Sequence, residues 1–155
     1  MSGIEQIMAA RWLAQNGTNK HILEGMIPLS EKNVKEFYRS APKSPHRYGT
    51  HWLRCEGAYM ADRAYRLFIQ LFGNSALSKP LSVIEFSLYC QTYLTKFPSD
   101  DMSSNRLHYL IQSIRNGDAV VKDTCSCCGL PFVVHRDESI EKVCNICRVF
   151  SEKQQ

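Results

Sequence analysis

No apolar run in this 155-residue chain approaches the roughly 18 to 20 residues that a membrane-spanning helix needs. The opening stretch, MSGIEQIMAARW, carries Glu5 and lacks the basic-then-apolar order of a secretory signal. No internal repeat and no low-complexity tract is visible. A nucleophile elbow, a phosphate loop and a paired-carboxylate constellation are all missing, so an enzyme is not expected. With 44% hydrophobic and 22% charged residues, the composition is that of an ordinary globular protein and excludes wholesale disorder. The length suits one compact domain, or a small domain with an appendage. A cytoplasmic location is expected.

The formal net charge of +4 is mild but unevenly placed. Eight basic residues lie between Arg11 and Arg54 against three acidic ones, Glu24, Glu31 and Glu36. A basic first third points weakly to a polyanionic partner, and a solvated charged face would look the same.

Cysteine usage is more informative. Of seven cysteines, five fall within 125–147: Cys125, Cys127, Cys128, Cys144 and Cys147. A reducing compartment does not support such a cluster as disulfides, and an odd total opposes full pairing. Cys55 and Cys90 stand alone on apolar helical stretches, where a buried free thiol acts as a small hydrophobe. Cys125 and Cys128 form C-x2-C, fifteen residues intervene, and Cys144 and Cys147 form a second C-x2-C. That is the spacing of a four-thiolate structural zinc site, one ion per chain. Such a site is closed and leaves no position for catalytic water. Cys127 fits neither pair, and His135 would serve only if a cysteine were displaced. The competing redox reading of C-x-x-C wants a helix start in a βαβ unit, and none is apparent.

Hydrophobic spacing and punctuation predict a mainly α chain, a helical bundle over 1–117 followed by a small four-cysteine zinc module over 118–155. The expected helices are 4–15 with Ile4, Ile7, Met8 and Trp12 on one face, 19 to about 26 capped by Thr18, and one opened by Ser30. A Pro-punctuated basic connector over 41–49 follows. A long helix over about 50–72 stops at Gly73, another runs from Pro80 to Phe97, and a last one from Ser103 or Ser104 ends at Gly117. The aromatic stripes on these helices suit a core or a partner-helix surface. Pro131 to His135 alternates as a short strand.

Within this frame, residues 18–39 read TNKHILEGMIPLSEKNVKEFYR. Leu23, Ile27, Leu29, Val34 and Phe37 match the buried positions of a helix-turn-helix. Its second helix would present Lys32, Asn33 and Lys35 to base edges, with Arg39, Lys43 and Arg47 suited to phosphates. Glu24 and Pro28 replace the small residue and glycine usual in such a unit, and a plain helical hairpin accounts equally for the segment.

Three stretches taken together have a known counterpart: LSEKNVKEFYR followed by Ser44-Pro45; the Trp52 helix; and Cys125-Ser126-Cys127-Cys128-Gly129 with Phe132 and His135 ahead of Cys144-Asn145-Ile146-Cys147. Over most of its length the chain resembles the FlhC family, the C subunit of the bacterial flagellar master transcriptional activator. The cysteine inside the first pair is a feature of that family. The resemblance implies zinc on Cys125, Cys128, Cys144 and Cys147, and an activator that binds double-stranded promoter DNA. It also implies a heteromer with an all-helical D-type subunit, four D to two C, working with RNA polymerase. Mobile-element relatives that activate conjugative transfer share this architecture, so flagellum biogenesis and conjugative transfer are both implied outputs. From another functional class, a zinc-ribbon adaptor that binds only protein partners fits the same composition.

Overall fold

Local capping chemistry sets most of the helix boundaries. The computed structural model describes residues 3–43 and 50–153. Helix α1 spans Gly3–Gln15, α2 Lys20–Glu24 and α3 Glu31–Tyr38. Ser30 caps α3 as expected: its hydroxyl accepts the Asn33 N–H at 3.1 Å. Thr18 does not cap α2. Asn19 holds the cap position without a side-chain bond, because the Thr18 hydroxyl instead pairs with Ser104 at 2.7 Å.

The expected long helix from residue 50 does not form as one piece. Two 3-10 turns, His51–Arg54 and Glu56–Ala58, precede α4 at Tyr59–Phe72. Cys55 between them is extended (φ −114°, ψ 177°), which no continuous helix accommodates. That kink also leaves the Cys55 side chain exposed, whereas Cys90 is buried as expected. Gly73 stops α4 at φ 81°. Helix α5, Val83–Lys96, begins three residues after Pro80 because Ser82 and Glu85 form a reciprocal capping box. Helix α6 is Ser104–Asn116, with the Ser103 hydroxyl accepting the Arg106 N–H and Gly117 beyond its end at φ 87°. Strands β1, Ala119–Lys122, and β2, Phe132–His135, pair antiparallel with Val120 opposite Val134. Helix α7, Asn145–Lys153, ends the described chain. Among the described residues the protein is mainly helical, 62% by residue, with one small sheet. No described helix is long and apolar enough to cross a membrane.

The chain groups into two compact units, and their limits differ from a division at 117/118. The first comprises Met1–Tyr48 and Lys79–His108, the second Gly49–Ser78 and Tyr109–Gln155. In the first unit α1 packs on α5, α3 and α2. The inward face of α1 is Ala10, Leu13 and Ala14; Ile4 and Met8, which share one apolar face by spacing, are 78% and 64% exposed. The stripe of α5, Val83, Phe86, Cys90 and Tyr93, is core. A satisfied polar cluster lies within this unit. Asn105, fully buried, donates to the Gly17 carbonyl at 2.9 Å and accepts the Asn19 N–H at 2.8 Å. Tyr38 donates to the Thr18 carbonyl at 2.8 Å.

In the second unit α4 packs on β2 and α7. Met60, Ala61, Ala64, Tyr65, Leu67 and Phe68 form its buried face. The cysteine region thus shares its unit with residues 49–78, which the 118–155 boundary leaves out.

Candidate metal centre

Two C-x2-C turns hold the centre, one after β1 and one running into α7. In the first turn the Cys125 sulfur accepts the N–H groups of Cys127 and Cys128 at 3.3 and 3.5 Å, and also that of Cys144 at 3.2 Å. In the second, the Cys144 sulfur accepts the Cys147 N–H at 3.3 Å. Gly129 takes φ 78° to close the first turn, and its N–H bonds to the Cys125 carbonyl at 2.9 Å. A Cβ at Gly129 would meet nothing within 4 Å, so only backbone strain opposes one. Gly129→Ala is therefore expected to cost about 1–2 kcal/mol, read as a lower melting temperature of the metal-loaded chain with full metal content.

The sulfurs of Cys125, Cys128, Cys144 and Cys147 all lie within 4.8 Å of one another. Cys125–Cys147 is 4.0 Å and Cys128–Cys144 3.8 Å. A disulfide needs about 2.05 Å, whereas sulfurs at about 2.3 Å from a shared tetrahedral ion stand roughly 3.8 Å apart. All seven cysteines are free thiols. The cluster could hold one metal ion, and its dimensions fit a four-sulfur tetrahedron.

Electrostatics point the same way. Burial raises the Cys125 thiol, but the backbone donors of Cys144, Cys128 and Cys127 prevail and bring it down to about 6. Burial pushes Cys144 up, and burial together with the neighbouring thiols pushes Cys147 up. The Cys125 sulfur is ready to be a thiolate, while burial above all opposes a negative charge on Cys144 and Cys147. A cation at the centre removes that resistance.

Cys127, the spare residue, is exposed and outside the cluster. His135 is outside it too: its Nδ1 accepts the Asp137 N–H at 3.1 Å and caps a 3-10 turn at Arg136–Glu138. A small core backs the sulfurs, with Cys125, Cys144, Phe132 and Val134 buried and Val120, Val143 and Ile146 against them.

Two residues on α4 also belong here, and no motif marks them. Asp62 is fully buried among apolar neighbours and accepts the N–H groups of Val133 at 2.9 Å and Asn145 at 2.8 Å. Burial raises its carboxyl despite those two donors, the Asn145 side chain and Arg66. Arg66 donates from Nε to the Pro131 carbonyl at 2.8 Å, with Nη2 3.8 Å from the Cys128 sulfur. Burial lowers its guanidinium, yet Cys144, Asp62 and Cys128 together raise it. A carboxylate inside the stripe Met60-Ala61-Asp62-Arg63-Ala64-Tyr65 was the available signal, since a buried charge requires partners.

The residues expected to face nucleic acid lie elsewhere. Lys32 and Lys35 are exposed on α3, Asn33 is half-buried, and Arg39 and Lys43 are exposed beyond the helix. Arg47 lies outside the described residues. Glu31, Lys32, Lys35, Glu36 and Arg39 line one open groove. Glu36 pairs with Arg11 at 2.6 Å. Of the five buried positions expected for a helix-turn-helix, Leu23, Ile27 and Phe37 are buried; Leu29 and Val34 are half-buried. Helix α2 ends at Glu24, one turn long, because Gly25 follows.

Comparison with known proteins gives no match: no family model fits the chain, and no curated protein matches it.

Proposed function

We propose that this chain is a DNA-binding subunit of a transcriptional activator, with α3 as its DNA-facing helix and a structural zinc ion on Cys125, Cys128, Cys144 and Cys147. One observation carries the DNA assignment: Lys32 and Lys35 stand exposed on one capped helix with Arg39 just past its end, while Arg11 pairs with Glu36, so that basic side chains outnumber Glu31 along this face. That leaves a cationic strip on a rigid element, the form in which proteins meet phosphates and base edges. The resemblance to the FlhC family supports the same reading. It also supplies the rest: a D-type helical partner, promoter DNA, RNA polymerase, and flagellar or conjugative-transfer operons as targets. Zinc suits four sulfurs in a closed tetrahedron and acts there as a fold-holding ion, with no reaction of its own.

Titration of the purified complex against specific and scrambled duplexes at several salt concentrations tests the proposal. Lys32→Ala, in the first turn of α3, is expected to cost roughly 1–3 kcal/mol on the specific site and relax sequence preference. Half-buried Asn33 has less reach, so Asn33→Ala is expected to do less. Arg39→Ala and Lys43→Ala are expected to weaken both duplexes alike and lower the salt slope by about one unit each. Unchanged affinity in all four variants removes α3 from any DNA interface.

Exposed Ile4 and Met8 on α1, with Ile84 and Leu88 on α5 at 37% and 49%, favour protein contacts as a second reading. An adaptor that binds only protein would show no preference for the specific duplex in any variant and lose complex assembly when these side chains are made polar.

A further inference from the structure

Helix α4 precedes the first cysteine turn by more than fifty residues in the chain, yet it touches both turns. Asp62 and Arg66 stand four residues apart and therefore on one face of the helix. Asp62 Oδ2 accepts the Asn145 N–H immediately after Cys144, and Oδ1 accepts the Val133 N–H in β2. Asn145 Nδ2 adds a contact to Asp62 at 3.4 Å and another to the Val133 carbonyl at 3.3 Å. Arg66 reaches the other turn through the Pro131 carbonyl and the Cys128 sulfur. No buried side-chain polar atom among the described residues lacks a partner, so this is a completed arrangement.

We propose that Asp62 and Arg66 are positioning residues of the metal centre: Asp62 fixes the backbone of the second cysteine turn, and Arg66 holds a cation against the Cys128 sulfur. The proposal rests on reading the four-cysteine cluster as a metal site. Four thiolates around a divalent ion leave a net double negative charge, and a half-buried guanidinium offsets part of it. An N–H directed at a ligating sulfur also draws electron density from it, which sets the energy of its charge transfer to the metal, while the offset of charge sets the affinity. Outer partners of this kind commonly change metal affinity by about 10–100-fold when removed. The α4 segment is thereby part of the site.

Cobalt(II) bound to the full chain is the probe, because its absorption reports both affinity and the sulfur environment. Arg66→Gln keeps a donor for the Pro131 carbonyl and removes the charge. It is expected to lower cobalt affinity about 10–100-fold and shift the thiolate-to-cobalt charge-transfer band to longer wavelength. Arg66→Lys, which keeps the charge, is expected to fall between Arg66→Gln and the natural chain. Asp62→Asn, nearly isosteric, is expected to lower affinity about tenfold with the band in place. A Gln variant that binds cobalt within twofold of the natural chain, with an unmoved band, overturns the role of Arg66. If that variant does not fold, Asp62→Asn decides, and unchanged affinity there overturns the proposal. Failure of the natural chain to bind cobalt or zinc at all is a separate result, one that removes the metal reading itself.

Discussion

Cys128→Ser is expected to cost the chain its metal and unfold the cysteine region, while Cys127→Ser keeps both. The two residues are neighbours of the same type, so composition and local helix propensity hardly distinguish them. Their placement does. The Cys128 sulfur is one of four within 4.8 Å, and Cys127 is not among them. The core behind the sulfurs is small: Phe132 and Val134 are its buried non-cysteine members, with Val120, Val143 and Ile146 at the edge. Metal binding in small zinc modules is worth on the order of 10 kcal/mol or more, well beyond what those side chains supply. Strong chelation should act as Cys128→Ser does. Hydrogen exchange is expected to lose protection across β1, β2 and α7 while α1 and α5 retain theirs. Elemental analysis checks the variants directly, and full zinc content in Cys128→Ser would sink the assignment.

Asn105→Ala carries the second large expected effect, on the first unit. Asn105 is the only link from α6 to both the Gly17 carbonyl and the Asn19 N–H among the described contacts. Alanine leaves a donor and an acceptor without partners where water has poor access, at about 1–3 kcal/mol for each such group. A loss on the order of 2–4 kcal/mol is expected, since the site can relax in part. Asn105→Asp restores the acceptor for Asn19 but places a carboxylate against the Gly17 carbonyl, so it should rescue little. Urea denaturation followed by exchange protection of α1 and α2 measures this. A loss below about half a kcal/mol would mean that apolar packing alone holds the α1–α2 turn.

Helix ends were legible where a single side chain or glycine sets them. Ser30 and Ser103 cap through their own hydroxyls, and Gly73 and Gly117 adopt positive φ at the stops. The four cysteines were legible too, because tetrahedral coordination imposes its spacing on the chain. What could not be read depends on partners distant in sequence. The stripe Ile4, Ile7, Met8, Trp12 has helical period, but the buried residues of α1 are Ala10, Leu13 and Ala14; period alone does not say which face is covered. Thr18 looks like a cap until Ser104, 86 residues later, takes its hydroxyl. Strand β1 escaped notice because its four residues, Ala119–Lys122, gain stability only by pairing with β2. Asp62 reads as one more helical polar residue until Val133 and Asn145 arrive.

The partners of Asp62 have a consequence for synthesis on the ribosome. Asn145 lies 83 residues after Asp62, and the segment between them includes 79–108, which belongs to the other unit. At typical elongation rates of about 5–20 residues per second, α4 waits roughly 4–17 seconds for the cysteine turn that satisfies its buried carboxylate. During that interval α4 lacks β2 and α7, the elements it packs on, and the nascent chain offers chaperones an apolar helix face. Completion of the second unit is thus timed by the emergence of Asn145 and of α7 behind it.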